Sequence, residues 1–152
     1  IDLSERSNQP MVDNELQLAL VFNGTIYNYP ELRKELAAKG HTFFSQGDSE
    51  VILKAYAQWG EQCVQRLHGM FAFAIVDLRD YSLFMARDRL GIKPLYYSMD
   101  NKRFIFASNM QALLAAGHIN KEINPVGLHH QLSLHAVIPA PDTILAGVKK
   151  LA

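Results

Sequence analysis

The chain has 152 residues, of which 49% are apolar and 20% charged, and its formal net charge at pH 7 is zero. This balance is typical of a globular domain with a real core, and it excludes any compositional reason to expect nucleic acid or an anionic membrane as partner. No apolar run reaches the length of a membrane span, and one cysteine makes no internal disulfide, which fits a cytoplasmic location.

The first half of the chain is predicted to contain strands and helices in alternation after about ten loop-like residues. Apolar spacing at i, i+3, i+4 and i+7 marks the longest helix, and Pro30 suits a first helical turn. The predicted elements are a strand over Leu18–Phe22, a helix from Pro30 to Gly40, a short strand over His41–Ser45, a helix over Ser49–Trp59 and a short helix over Glu61–Leu67.

The second half is predicted to be mostly antiparallel strands, followed by two helices. Met70–Val76 is apolar on both faces, which is typical of a strand covered on both sides. Further strands are predicted over Tyr81–Ala86, Leu95–Met99 and Arg103–Ala107, with helices over Met110–Gly117 and Pro125–Leu134. Hairpins flanked by helices favour an α+β fold in which stacked sheets carry helical outer layers.

Two short segments offer polar groups suited to binding or catalysis. Asn23-Gly24 follows a strand, so it is either a tight turn or a pair of donors, a carboxamide and an unshielded backbone N–H, for a developing oxyanion. Asp48 precedes a helix, where it is either a capping acid or a carboxylate that pairs with a substrate ammonium. The charged loop Arg87–Tyr97 is interpreted as structural.

Two other features suggest chemistry but are interpreted as structural. Cys63 lies in a predicted helix without a neighbouring base, which favours a buried, inert thiol over a nucleophile. His129, His130 and His135 lack the i, i+4 spacing of a helical zinc pair, so no metal site is predicted.

Several short motifs follow one another along the chain. In chain order they are Ile1-Asp2-Leu3-Ser4 with Gln9-Pro10, Phe22-Asn23-Gly24-x-Ile26-Tyr27-Asn28, Asp48-x-Glu50-Val51, Gly69-Met70-Phe71-Ala72-Phe73-Ala74, Arg87-Asp88-x-x-Gly91-x-Lys93-Pro94-Leu95-Tyr96 and Phe106-Ala107-Ser108. This ordered series resembles the class II glutamine amidotransferase domain of glutamine-hydrolysing asparagine synthetases. The tail from Leu128 to Pro141 is similar to the branch that amidates N-acetylglutaminylglutamine instead of aspartate.

The resemblance implies an αββα four-layer sandwich of two mainly antiparallel sheets with outer helices, of the N-terminal-nucleophile hydrolase type. In such enzymes an N-terminal Cys hydrolyses glutamine, and the ammonia passes to a synthetase domain of the same polypeptide that uses ATP and Mg²⁺ to activate a carboxylate. Residues 1–152 would then be a single glutamine amidotransferase domain, incomplete at its N-terminus. By themselves they are expected to be inactive, because the nucleophile would lie upstream of Ile1. No cofactor is expected in this domain.

The resemblance also assigns roles to individual residues. Asn23 and Gly24 correspond to the oxyanion donors, Asp48 to the carboxylate that holds the α-ammonium of L-glutamine, and Ile1 to the end of a segment that lines the glutamine pocket. Thr25 stands where many members have Glu, in contact with the α-amino group. Asn109 also departs from the family, because it replaces a Glu that is common after Ala107-Ser108.

Three alternatives remain open at the level of the sequence. One is a non-catalytic module of the same fold that senses glutamine or binds a partner domain. Another is a different class II amidotransferase, such as a hexosamine-forming one, although the segment from Arg89 to Tyr96 favours the asparagine-synthetase type. The third concerns the oligomeric state. Loss of an upstream strand would leave an unpaired edge or apolar surface, which favours a homodimer.

Overall fold

The computed structural model describes residue 2 and residues 4–152. The chain divides into two compact units, Ile1–Ile92 and Lys93–Ala152. Both are built from antiparallel strands and short helices, so the predicted α+β class with two antiparallel sheets is confirmed.

The first unit contains a four-stranded antiparallel sheet in the order β1-β2-β3-β4. Its strands are β1 (Met11–Asp13), β2 (Leu18–Ile26), β3 (Gly69–Asp77) and β4 (Leu83–Arg87). Between β2 and β3 the chain forms helices α1 (Tyr29–Ala38) and α2 (Asp48–Trp59) and a 3-10 segment over Gly60–Arg66. Strands β2 and β3 pair along their whole length, from Leu18 opposite Asp77 to Ile26 opposite Gly69.

The core of this unit lies between one face of the sheet and the two helices. Alternate side chains of β2 and β3 are buried there, because successive residues of a strand point to opposite faces. The buried cluster includes Leu18, Leu20, Ile26, Leu36, Val51, Ile52, Leu53, Phe71, Phe73 and Ile75. Ala72 and Ala74, on the other face of β3, are also buried, which confirms that this strand is covered on both sides.

The second unit is a smaller three-stranded antiparallel sheet in the order β6-β5-β7. It comprises β5 (Tyr96–Met99), β6 (Phe104–Ala107), α3 (Met110–Ala115), α4 (Pro125–Ser133) and β7 (Lys149–Lys150). Asn109 and Asn124 begin the two helices, since their side-chain oxygens accept the backbone N–H groups of Ala112 at 2.7 Å and Val126 at 3.1 Å. Asn109, the departure from the family pattern, thus has a structural role here.

Three local predictions differ from the structure. His41–Ser45 is not a strand, because the backbone N–H groups of Phe44 and Ser45 donate to the fully buried Glu50 carboxylate instead of to a neighbouring strand. The strand expected to stop at Phe22 continues to Ile26, and the short strands β1 and β7 were not predicted.

Candidate functional site

A cleft of about 290 Å³ opens beside β2, where the N-terminus of α2 approaches the strand. Two sequence segments that lie far apart in the chain meet here, one around Gly24 and one around Asp48. The cleft is lined by Asp2, Ser7, Gln9, Phe22, Asn23, Gly24, Gly47, Asp48 and Ser49. It therefore contains three of the five residues assigned to substrate binding by the resemblance.

Asn23 and Gly24 do not form a turn. Both lie within β2, opposite Ala72 and Phe71 of β3, so the alternative of a tight turn after the strand is wrong. Asn23 is exposed and its side chain borders the cleft. A carboxamide at this position offers an N–H donor to a ligand that enters the cleft.

In β2, the backbone N–H and C=O groups of the even-numbered residues point away from β3. Leu18 and Leu20 pair there with β1, which ends at Met11. Beyond this point the Gln9 carboxamide contacts Phe22, and the N–H of Ile26 donates to Asp48 Oδ2 at 3.0 Å. Gly24 lies between these two residues on the same edge.

The Gly24 N–H is consequently directed toward the cleft. Gly24 faces Phe71 across the sheet, but the N–H of Phe71 donates to Asp88 and its carbonyl accepts from Asp88, so both groups point toward β4. Gly24 and Phe71 are thus a pair without mutual hydrogen bonds. Among the described residues, the Gly24 N–H has no acceptor, which leaves it available to a ligand.

The lack of a side chain at Gly24 is required by the packing of β2 on β3. A Cβ atom placed there would lie 2.2 Å from the carbonyl oxygen of Met70 and 2.7 Å from Phe71 Cα. The residue also has a φ of +153°, a region that L side chains rarely adopt. Glycine therefore allows β2 to carry an open N–H where its backbone lies close to that of β3.

Asp48 occupies the first position of α2, after the N-cap residue Gly47. Its side chain is 9% exposed, and only Oδ2 accepts a hydrogen bond from a described residue, the N–H of Ile26. Since Asp48 lines the cleft, Oδ1 is available to a cation there. A largely desolvated carboxylate with one unused oxygen is a suitable partner for an ammonium group.

The remaining two assigned residues are Thr25 and Ile1. Thr25 pairs with Met70 in the sheet and does not line the cavity, so its contact with the α-amino group stays a prediction. Ile1 lies outside the described residues, so its assignment stays a prediction too.

Six residues that line the cleft had no assigned role from the sequence, and three of them are polar side chains with notable contacts or burial. Gln9 belongs to one of the motifs, but its partner Phe22 is identified only when the strand register is known. Ser49 is 7% exposed beside Asp48. Asp2 accepts the backbone N–H groups of Gln46 at 2.8 Å and Ser4 at 2.9 Å, and these contacts hold the pKa of its carboxyl well below the usual range.

The charged loop after β4 is structural, as predicted, although a cavity of about 330 Å³ lies beside it. Asp88 accepts from the N–H of Phe71 at 3.1 Å through one oxygen and from the N–H of Ile92 at 2.9 Å through the other. Arg87 donates to the Gly91 carbonyl, and a Cβ on Gly91 would lie 2.3 Å from the guanidinium. These contacts hold the loop through its own charged groups.

A third cavity, of about 380 Å³, lies beside a buried ion pair between Lys54 and Asp13. The two side chains are 5% and 3% exposed, and their charged atoms lie 2.5 Å apart. Burial raises the pKa of Asp13, but the hydrogen bond from Lys54 and the N–H groups of Leu16 and Glu15 outweigh it, so the pKa lies below its ordinary value. The pair ties β1 to α2.

Cys63 is fully buried, and burial raises the pKa of its thiol to about 12. The prediction of an inert cysteine is confirmed in this respect, since the reactive form is the thiolate. Within the described residues, no three His, Cys, Asp or Glu side chains come together in a way that would hold a metal ion. None of the helices described is both long and apolar enough to cross a membrane.

Comparison with known proteins identifies the family of the chain. The model of the glutamine amidotransferase domain matches residues 1–152. The chain is 43% identical over 147 residues to glutamine-hydrolyzing asparagine synthetase 1 of Bacillus subtilis, which covers 97% of this chain and 23% of that protein. It is 40% identical over 169 residues to a putative glutamine-hydrolyzing asparagine synthetase 2 of Methanocaldococcus jannaschii, covering 99% and 32%.

Solved structures show the same fold. Glutamine phosphoribosylpyrophosphate amidotransferase from Bacillus subtilis, in complex with ADP and GMP, superposes with a TM-score of 0.61 at 25% identity, over 72% of this chain and 26% of that one. The α+β sandwich expected of the N-terminal-nucleophile type is therefore confirmed at the level of the fold. The chain spans about a quarter of the length of the first curated relative it matches.

Proposed function

The chain belongs to the glutamine amidotransferase domain family, and we propose that it is the ammonia-supplying glutaminase domain of an asparagine-synthetase-like enzyme. The observation that carries this proposal is the open N–H of Gly24 at the floor of a cleft that also contains Asn23 and Asp48. Oxyanion donors and an ammonium-binding carboxylate are the groups that amide hydrolysis of glutamine requires.

In this proposal Asp48 selects and orients the substrate. The α-ammonium of L-glutamine binds the unused oxygen of Asp48, while the other oxygen stays bound to the N–H of Ile26. Because α2 begins at Asp48 and is anchored by buried side chains of its first two turns, the carboxylate has a fixed position. Asp48 thereby fixes where the amino-acid head of the substrate lies in the cleft, and so which protein groups its side-chain amide reaches.

Gly24 and Asn23 act on the side-chain amide. Attack on the amide carbon moves negative charge onto the carbonyl oxygen, which then accepts hydrogen bonds from the Gly24 N–H and the Asn23 carboxamide. Donors fixed by a paired strand need no reorganisation during the reaction, which is the main source of their effect. The attacking group in this proposal is an N-terminal cysteine upstream of Ile1, whose own amine serves as base.

The rest of the proposed reaction lies outside these residues. The ammonia is used by a synthetase domain of the same polypeptide, where ATP and Mg²⁺ activate an acceptor carboxylate. The curated relatives, named as asparagine synthetases, support aspartate as acceptor. The resemblance of the Leu128–Pro141 tail to the N-acetylglutaminylglutamine branch stays a prediction that the sequence of the synthetase domain tests. We also propose that the protein is located in the cytoplasm.

We also propose that the protein forms a homodimer. The support comes from α4, which exposes Leu132 by 78% and, one turn earlier on the same face, Leu128 by 38%. Neighbouring exposed apolar side chains are typical of association surfaces. Sedimentation velocity of the full-length protein tests this point, and a monomer at high concentration would count against it.

The test of the glutaminase function compares two nitrogen sources in the full-length protein. Glutamine should be converted to glutamate, and glutamine-driven amidation should be lost in Asp48→Ala while amidation driven by added ammonium survives. A full-length protein that binds glutamine without hydrolysing it would favour the non-catalytic sensing module instead.

A further inference from the structure

We infer that Gln9 is a positioning residue for the oxyanion donors, an inference that rests on the proposed glutaminase function. Its carboxamide bonds the backbone of Phe22 in the way that a neighbouring strand would, and so fixes the position of β2 there. Two residues further along the strand, the Gly24 N–H then points to the substrate.

The register of the sheet shows that Gln9 stands where a strand partner would be. Strand β1 pairs antiparallel with β2 so that Met11 lies opposite Leu20. Two residues further in each direction, the same register sets Gln9 opposite Phe22. At this position the side chain of Gln9 makes the contacts with Phe22.

Both polar atoms of the Gln9 carboxamide are used in this contact. Oε1 accepts the N–H of Phe22 at 2.6 Å, and Nε2 donates to the Phe22 carbonyl at 2.9 Å. This is the pair of hydrogen bonds that an adjacent antiparallel residue would exchange with Phe22. Only a side chain with one donor and one acceptor in a plane makes it, which glutamine supplies and glutamate or methionine does not.

The consequence for catalysis follows from the position of Gly24 between two residues whose backbones are held by side-chain hydrogen bonds. Gln9 fixes the edge at Phe22, and Asp48 fixes it at Ile26. Alternate residues of a strand are about 7 Å apart, so the Gly24 N–H lies between two fixed points on a short span. Displacement of reacting groups by about 1 Å costs on the order of 100-fold in rate, so a loosened edge weakens oxyanion stabilisation.

A purely structural role for Gln9 makes a different prediction. If the side chain only ties the first ten residues to the sheet, its loss lowers stability and reduces every activity of the protein together. If it positions Gly24, its loss lowers the turnover of glutamine and leaves glutamine binding and ammonia-driven amidation unchanged. The Phe22 contacts do not involve Asp48, so the KM for glutamine separates the two roles.

The experiment uses the full-length protein with Gln9→Met, which keeps the length of the side chain and removes both hydrogen bonds. The matched control is Gln17→Met, because Gln17 Nε2 also donates to a backbone carbonyl, that of Asn14 at 2.7 Å, but does not line the cleft. We expect Gln9→Met to lower glutamine-driven kcat about 10- to 100-fold with little change in KM, and Gln17→Met to leave both constants unchanged.

A second variant, Gln9→Glu, adds a pH readout. The ionised carboxylate repels the Phe22 carbonyl, whereas the protonated acid restores one donor and one acceptor. Its glutamine-driven kcat relative to the wild type should therefore rise as the pH falls toward the pKa of the introduced carboxyl. In Gln9→Met, which lacks the acceptor, amide hydrogen exchange should be faster at Phe22 than in the wild type, with Leu20 unaffected.

The outcomes separate this inference from the function on which it rests. A wild-type protein that does not hydrolyse glutamine overturns the proposed function and, with it, the catalytic role of Gln9. An active wild type whose Gln9→Met variant keeps its kcat, or loses glutamine-driven and ammonia-driven rates equally, overturns the inference alone.

Discussion

Asp48 and Asp88 are two aspartates in similar settings with different uses. Both are more than 90% buried, at 9% and 7% exposure, and both accept a backbone N–H from the edge of a strand. Asp88 uses its second oxygen for the N–H of Ile92, whereas the second oxygen of Asp48 has no described partner and faces the cleft. On the proposed function, the unused acceptor position of Asp48, and not its burial or charge, distinguishes its binding role from the structural role of Asp88.

The largest expected effect concerns the donors next to Asp48. In the full-length enzyme, Asn23→Ala removes one of two preorganised donors to the carbonyl oxygen, so glutamine turnover should fall about 10²–10³-fold, or roughly 3–4 kcal/mol of transition-state stabilisation. Glutamine affinity should change much less, since the ground-state carbonyl needs the donor less. Glutamine-driven and ammonia-driven rates, measured side by side, check this. Equal loss of both rates would remove Asn23 from the site.

Asp48→Asn tests the open carboxylate. The Asn side-chain oxygen still accepts the N–H of Ile26, so the fold should be nearly unaffected, while the charge that binds the substrate ammonium is lost. A hydrogen bond between charged groups contributes about 1.5–3 kcal/mol, so KM for glutamine should rise about 10- to 100-fold. Steady-state kinetics and thermal unfolding check the two halves of this prediction. An unchanged KM would exclude Asp48 as the ammonium site.

Asp88→Asn is the matched change in the structural aspartate. Here the new NH₂ group faces a backbone N–H, of either Phe71 or Ile92, so one backbone donor loses its protein acceptor. The free energy of unfolding should fall by about 1–3 kcal/mol, with KM for glutamine close to that of the wild type. Urea unfolding combined with kinetics gives both values. A rise in KM without loss of stability would place Asp88 in the substrate site.

Cys63 should show the smallest effect. Because burial raises the pKa of its thiol to about 12, the folded protein should resist alkylation of Cys63 near pH 8, and Cys63→Ala should leave glutamine turnover intact. Mass spectrometry after treatment with iodoacetamide, with and without denaturant, measures this. Rapid alkylation of Cys63 in the native state would contradict the burial that defines it.

Elements with a long, regular apolar pattern were predictable from the sequence. α2 follows its i, i+3, i+4 spacing, and β3 follows its continuous apolar run. Short segments gave a mixed result: β5 and β6 lie where strands were predicted, whereas His41–Ser45 does not form one, because tertiary partners decide such segments. His41–Ser45 has a strand-like composition, but the carboxylate of Glu50 takes its backbone donors.

The site was predictable in its residue types but not in its geometry. The motifs and their resemblance indicated Asn23, Gly24 and Asp48, and the structure brings these three residues to one cleft. Whether the Gly24 N–H is open depends on which edge of β2 the N–H groups of its even-numbered residues point to. A one-residue change of register would direct the Gly24 N–H to the other edge. The role of Gln9 depends on the same register, so its pairing with Phe22 became visible only in the folded chain.

The central claim is that the open edge of β2 at Gly24 receives the side-chain oxygen of the substrate. A crystal structure of the full-length protein with L-glutamate, the product that is not turned over, tests it most directly. We predict a side-chain carboxylate oxygen within hydrogen-bonding distance of the Gly24 N–H and the Asn23 carboxamide, and the α-ammonium on the free oxygen of Asp48. Glutamate bound elsewhere, or a protein group accepting the Gly24 N–H, would contradict the account.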